Sequence, residues 1–308
     1  MEIGVLQSYA PILGTILLGF VLRRIGFPGE RFWPAAEQIT YYLLFPALLV
    51  LKIGTTRTGG VQTASLIAAL VFAFLTIAML LVAARKRLAG EGPAFTSLFQ
   101  GTLRFNTYIG LTIILFSFGE PGMQIAAIIM ATLIPLVNIL CVVVLLCYGS
   151  RTSGRKRLAI LLSLLKNPVL LACLAGIFIN VAGIHIVTPV AGAMAILGKA
   201  ALPMGLLTAG AGLDFKIFQA SPRTIVAACL GKLIVLPALM WLFCLFFQVE
   251  HTRATIAVLF AALPCSALSF VLARQLGGDT RLMSGIVTVQ TCLALGTMPF
   301  MLSLTSLL

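Results

Sequence analysis

Arg104, Asn106 and Thr107 stand close together in a run that is otherwise largely apolar, TSLFQGTLRFNTYIGLTIILFSFG (96–119), and Gly110 closes the polar patch. A second apolar run, ATIAVLFAALPCSALSFVLARQLGG (254–278), carries Pro264, Cys265, Ser266 and Ser269 near its centre. A third, LIPLVNILC, places Asn138 three residues after Pro135. These residue types suit the holding of an anion. A guanidinium meets a carboxylate with two parallel hydrogen bonds, and an asparagine amide can donate and accept at once. A guanidinium in the middle of a membrane span costs about 2.5–3.5 kcal/mol on insertion scales, so it calls for a counter-charge. None of the eight acidic residues (Glu2, Glu30, Glu37, Glu91, Glu120, Asp214, Glu250 and Asp279) falls mid-run. A ligand bearing a carboxylate would supply that charge. The other reading of Arg104 is that it caps carbonyls of an interrupted helix or snorkels.

Nothing accompanies these residues that would make an enzyme of the chain. There is no Ser–His arrangement, no HExxH and no GxxxxGK[ST] run. The two histidines, His185 and His251, fall in predicted loops, and the seven cysteines lie in hydrophobic segments with no CxxC pair. The cysteines read as small apolar packing residues. No metal site and no cofactor are expected.

The elements that position the polar residues are membrane helices. Of 308 residues, 60% are hydrophobic and 9% charged, against roughly 25% charged in a soluble domain. Apolar runs of about 20 residues fall at 4–22, 37–53, 62–84, 95–118 and 122–148. Five more fall at 167–184, 189–213, 223–248, 254–275 and 282–306. The N-terminus, MEIGVLQSYAPILG, lacks a basic leader and a small-residue cleavage site and reads as a retained first span. The net charge of +13 sits in short loops between apolar runs, which points to membrane orientation and away from nucleic acid.

The chain also repeats itself. Pro11, Pro46 and Asn106 recur as Pro168, Pro203 and Pro264, at offsets of 157, 157 and 158 residues. Five spans per repeat, an odd number, invert the second copy. The expected organisation is a first five-helix repeat at 1–148, a cytoplasmic basic connector at 149–166, and a second repeat at 167–308. Within the connector, LAILLSLLK (158–166) has the pattern of an interfacial helix. Basic residues crowd one face: Arg23, Arg24, Arg31, Arg85, Lys86, Arg87, Arg151, Arg155, Lys156, Arg157, Lys166, Lys216, Arg223, Arg274 and Arg281. Only Lys52, Arg57 and Arg253 mark the other. The positive-inside rule therefore puts both termini outside. Lys199 and Lys232 fall inside spans but near their ends, and read as snorkelling side chains.

The fourth and ninth spans should be interrupted. Pro264 cannot donate a backbone hydrogen bond and clashes with the preceding turn, and its counterpart under the repeat is Asn106. Half-helices starting there expose N–H groups that need partners in lipid, and an anion is one such partner. Backbone N–H groups at 107–110 and 265–268 are the expected donors.

The segment ALPCSALSFVLARQLGGD (262–279) resembles the ninth-span signature of the auxin efflux carrier family. Arg104-Phe105-Asn106 with Gly110, and YYLLFPALL (41–49), resemble the fourth- and second-span motifs of its bacterial branch. The resemblance implies an all-α polytopic membrane protein with ten transmembrane helices in two inverted five-helix repeats. It implies a scaffold domain, a mobile domain, and a substrate site beside the crossing fourth and ninth helices. Asn106 would match the family's crossing asparagine, Pro264 its crossing proline, and Asn138 a polar fifth-span position. Carried substrates in the family are small organic anions such as malonate, malate or auxin. Two features depart from plant members: Phe105 stands where they have proline, and the long central loop is absent.

The reading is a secondary transporter of a small organic anion in the inner (plasma) membrane, working by alternating access. Its partners are the anion and the lipid bilayer, without nucleic acid; a homodimer stays open as an assembly. A sodium-coupled carrier of the bile-acid type is the alternative, since sodium can be held by carbonyl and side-chain oxygens. A membrane sensor or an intramembrane enzyme ranks behind both.

Overall fold

The computed structural model describes residues 2–56, 61–150, 167–213 and 221–306. The interfacial helix expected at 158–166 and the basic residues at 57, 151–157, 166 and 216 lie outside the described residues. Every regular element among the described residues is helical. In chain order these are α1 (Glu2–Arg24), α2 (Phe32–Thr55), α3 (Val61–Leu88), α4 (Gly92–Leu103) and α5 (Thr107–Tyr148). They are followed by α6 (Pro168–Val181), α7 (Thr188–Ala211) and α8 (Pro222–Phe246). Last come α9 (His251–Ala262), α10 (Leu268–Leu276) and α11 (Thr280–Ser306). Five stretches are long and apolar enough to cross a bilayer: α2, α3, Gly92–Tyr148, α7 and α8. Large apolar side chains such as Phe72, Met79, Phe178 and Phe246 are exposed, the surface that lipid rather than water demands. The chain is an all-α polytopic membrane protein.

Local sequence explains the main irregularities. Two helices carry a π-helical turn, Thr40–Leu44 in α2 and Gly231–Val235 in α8. Each immediately precedes a segment with proline at its second position, Pro46 and Pro237. Proline lacks the N–H that a regular turn would use, and its ring presses on the turn before it; a wider turn relieves both. In α5, Gly119 adopts φ 59, ψ −152, a conformation that essentially only glycine takes at low cost. Pro121 follows, so α5 is two helices joined at a kink. At α6, Asn167 caps the start by accepting from Val169 N at 3.0 Å and Leu170 N at 3.2 Å, with Pro168 in the first turn.

The chain divides into two compact units. The first comprises Met1–Thr63, Tyr108–Pro135 and Leu165–Gly212; the second comprises Ala64–Thr107, Leu136–Leu164 and Leu213–Leu308. Each draws on both sequence halves. In the first unit, α1 and α7 meet backbone to backbone. A Cβ on Gly210 would lie 1.9 Å from the Ile16 carbonyl oxygen, and one on Gly19 would lie 2.1 Å from that of Leu207. Small residues permit such an approach where van der Waals contact must hold helices together in lipid. Polar groups in this unit have partners. Asn180 Nδ2 donates to the carbonyls of Ile53 (3.1 Å), Gly54 (3.4 Å) and Thr56 at the end of α2, and Lys52 pairs with Glu120 at 2.8 Å.

In the second unit, α4 is the central element. Its residues Phe95–Leu103 are all buried, and it packs against α8, α10 and α11. Gly101 lets these helices close in, since a Cβ there would stand 2.6 Å from the Ile286 side chain and 3.7 Å from Ala228.

Candidate functional site at two helix breaks

Two of the apolar runs in the second unit are interrupted, and the two breaks touch. α4 makes its last helical bond from Arg104 N to Gln100 O at 2.8 Å. Arg104 then turns extended, at φ −73, ψ 151. α5 begins at Thr107. On the other side α9 stops at Ala262, and Leu263 is extended at φ −59, ψ 140, as a residue before proline prefers. α10 begins at Leu268. Between them, Asn106 N donates to Pro264 O at 2.7 Å. Each of these backbone groups would be an unpaired polar atom in an apolar interior; the crossing pairs them with each other.

Side chains gather around that bond. Arg104 Nη1 donates to Asn138 Oδ1 at 3.0 Å; Asn106 is 4% and Asn138 7% exposed. Cys265 Sγ lies 3.2 Å from Ser269 Oγ, and Ser269 is fully buried. Ser266 Oγ accepts from Leu268 N at 3.3 Å. Thr107, half-buried, opens α5. The structure thus brings together Arg104, Asn106, Thr107, Asn138, Pro264, Cys265, Ser266 and Ser269 in one unit. Gly110, also expected in the site, belongs to the other unit.

The expected set of backbone donors needs correction. Cys265 N is engaged by Gln290 Oε1 at 2.9 Å, and Leu268 N by Ser266 Oγ. These two N–H groups are therefore occupied by the chain itself. The physical reason is that a buried amide left without a partner costs about as much as a lost hydrogen bond. Gln290 goes further: its Nε2 donates to Gly101 O at 3.0 Å and Ala228 O at 3.1 Å. In an uninterrupted helix Gly101 O would accept from residue 105, so the amide fills a vacancy that the first break creates. Gln290 thus bonds across helices.

Residues 154–302 match the family described as Membrane transport protein. Over 299 residues the chain is 22% identical to an uncharacterized transporter from Methanothermobacter thermautotrophicus, covering 96% of this chain and 97% of the other. Both matches agree with the resemblance to the auxin efflux carrier family. A family named for membrane transport and a relative named as a transporter together support a transporter, and both breaks fall in the fourth and ninth apolar runs, where interruptions were expected.

One residue beside the crossing contradicts its sequence reading. Lys232 does not snorkel; it is 0% exposed. It sits in the π-helical turn of α8, with Nζ 5.8 Å from the centre of the Phe105 ring and 5.9 Å from that of Phe74. Phe105 in turn meets Phe260 edge-on at 5.7 Å. Its place in the run suggested the bilayer edge, but α8 starts at Pro222 and packs this face inward. Lys199, by contrast, is exposed, as a snorkelling lysine should be. Among the described residues, Lys232 Nζ, Arg104 Nε and both amide atoms of Gln100 are buried without a hydrogen-bond partner. A general signal could have flagged Lys232: any intramembrane charge is a site candidate by default. Gln100 carried no such signal.

Proposed function

We propose that this carrier is a secondary active transporter of a small organic anion, a carboxylate of the malonate, malate or auxin-like kind, working by alternating access. The observation that carries the reading is the crossing itself. Two interrupted helices meet through Asn106 N and Pro264 O, with the guanidinium of Arg104 beside them and paired to a neutral amide rather than a carboxylate. Transporters built on interrupted helices bind substrate at such places. A carboxylate completes the charge of Arg104 and accepts from the polar groups around it.

The same proposal includes the ten-span inverted repeat. With α5 divided at Gly119, α4 joined to its first part and α9 joined to α10, the described helices group into ten apolar stretches. That number and the 157-residue correspondences support two inverted halves. The basic asymmetry supports a plasma-membrane carrier with both termini outside. A cysteine introduced near residue 153 on a cysteine-free background should then resist an impermeant thiol reagent in intact cells.

The direct test of function is a thermal-shift screen of purified protein against mono- and dicarboxylates, followed by uptake into liposomes. Stabilisation by at least one carboxylate and its accumulation in vesicles are expected. Uniform indifference to the whole panel would send the reading back to transport of unknown cargo.

A further inference from the structure

Lys232 is the buried charge that the proposed anion site does not use. Its ammonium is fully enclosed and has no hydrogen-bond partner among the described residues. Two aromatic rings lie beside it at 5.8 and 5.9 Å, a cation–π contact near the limit of that interaction. One of the rings is Phe105, the middle residue of the first break. Arg104, its chain neighbour, instead reaches Asn138. Two basic side chains therefore flank one crossing, Arg104 through Asn138 and Lys232 against Phe105, and no ion pair with either is found among the described residues.

The helix termini give that placement a meaning. α4 and α9 both end at the crossing, at Leu103 and Ala262. A helix C-terminus carries the negative end of the dipole and favours a cation. In transporters with interrupted helices, those C-terminal ends and unwound carbonyls are where a coupling cation binds, opposite the anionic substrate. Here a lysine ammonium stands next to that region, held on the chain.

We propose that Lys232 is a resident cation that does the work of a coupling ion. It supports anion binding at the crossing, so that the carrier needs no sodium. This rests on the anion-transporter reading and decides against sodium coupling within it. A sodium ion would add a third positive charge beside Arg104 and Lys232, among groups that offer no carboxylate to hold it. The cost of the arrangement falls on the substrate-free protein, which must either bury an unpaired ammonium or give up its proton. A side chain with a purely structural role would do better as methionine, which has similar length and no charge to desolvate.

That conflict supplies the test. Purified wild type, Lys232→Met and Lys232→Arg are melted without ligand in sodium chloride and in choline chloride, and titrated with malonate in both. Wild type should melt at the same temperature in the two salts and bind malonate equally well in each. Lys232→Met should melt higher than wild type yet bind malonate at least about tenfold more weakly, while Lys232→Arg should stay within a few-fold of wild type. A sodium-specific rise in the wild-type melting temperature overturns the inference, with or without an anion present. So does a Lys232→Met protein that melts lower than wild type, or one that binds malonate as tightly. A wild type that binds no carboxylate overturns the anion reading instead. The substrate-free melts then still decide whether the protein carries its own cation.

Discussion

The two breaks that meet at the crossing are made in different ways. The break after α9 is written into covalent structure. Pro264 has no N–H to give to the turn before it, and its ring forces Leu263 into the extended conformation observed. The break after α4 has no proline. Arg104, Phe105 and Asn106 could each continue a helix, at modest cost in propensity. What holds them out is tertiary: Asn106 N donates to Pro264 O, the Phe105 ring packs on Phe260, and Gln290 caps the vacated carbonyl of Gly101. The lesson is that one break can template the other. A proline on one helix presents a carbonyl, and that carbonyl draws a partner strand of backbone out of helical geometry.

The largest effect should come from removing what ties both breaks together. Gln290→Leu leaves Cys265 N, Gly101 O and Ala228 O without their amide partner in the interior. Ala228 O keeps its bond from Gly231 N, so two buried groups are left unsatisfied, and at about 1–3 kcal/mol for each the loss is at least about 2 kcal/mol. Folded yield and melting temperature should fall sharply, and the first break should be the more exposed to hydrogen exchange. Wild-type melting behaviour in Gln290→Leu would mean the two breaks stand without a common support.

The next effect separates a break that is covalent from one that is induced. Pro264→Ala lets α9 continue, since alanine lacks the roughly 3 kcal/mol helix penalty of proline. Stability should hold or rise while carboxylate binding and uptake fall by about tenfold or more. If uptake survives intact, the proline is a relic of packing and Asn106 does not depend on it.

Smaller still, and specific to charge, is Arg104. Arg104→Gln should weaken carboxylate binding by about 1.5–3 kcal/mol, the worth of a hydrogen bond to a charged group, and should weaken dianions more than monoanions. Arg104→Lys should rescue only part, because lysine lacks the planar fork. Isotherms for one monocarboxylate and one dicarboxylate, set beside substrate-free melting temperatures, read the result. Equal losses of stability with unchanged ligand ranking would assign Arg104 to the broken helix alone, as a brace for Asn138 and the chain end.

Much was legible before any fold was built. The apolar runs, the paucity of charge and the proline at 264 are local properties, so they announced membrane helices and a ninth-span break. Arg104 stood out because a guanidinium in an apolar run is costly wherever the helix faces. Its partner Asn138 was legible as a polar residue near a proline and through the resemblance; that the two are 3.0 Å apart depends on how α4 and α5 pack. Lys232 was misread because distance along a run measures depth, not direction. The face of α8 on which a side chain falls decides between lipid surface and interior, and neighbouring helices set that face.

The chain on its own therefore determined composition-driven matters: that it lives in lipid, that its elements are helices, and that one helix must stop at Pro264. These follow from solvent and covalent geometry, which each residue carries with it. Tertiary structure alone decided that Asn106 N would find Pro264 O, that Gln290 would serve three backbone groups at once, and that an ammonium would be sealed beside the crossing. Those outcomes need groups far apart in the chain to meet. Lipid offers unpaired polar atoms no alternative partner, so the meeting is enforced by their cost rather than by any local preference.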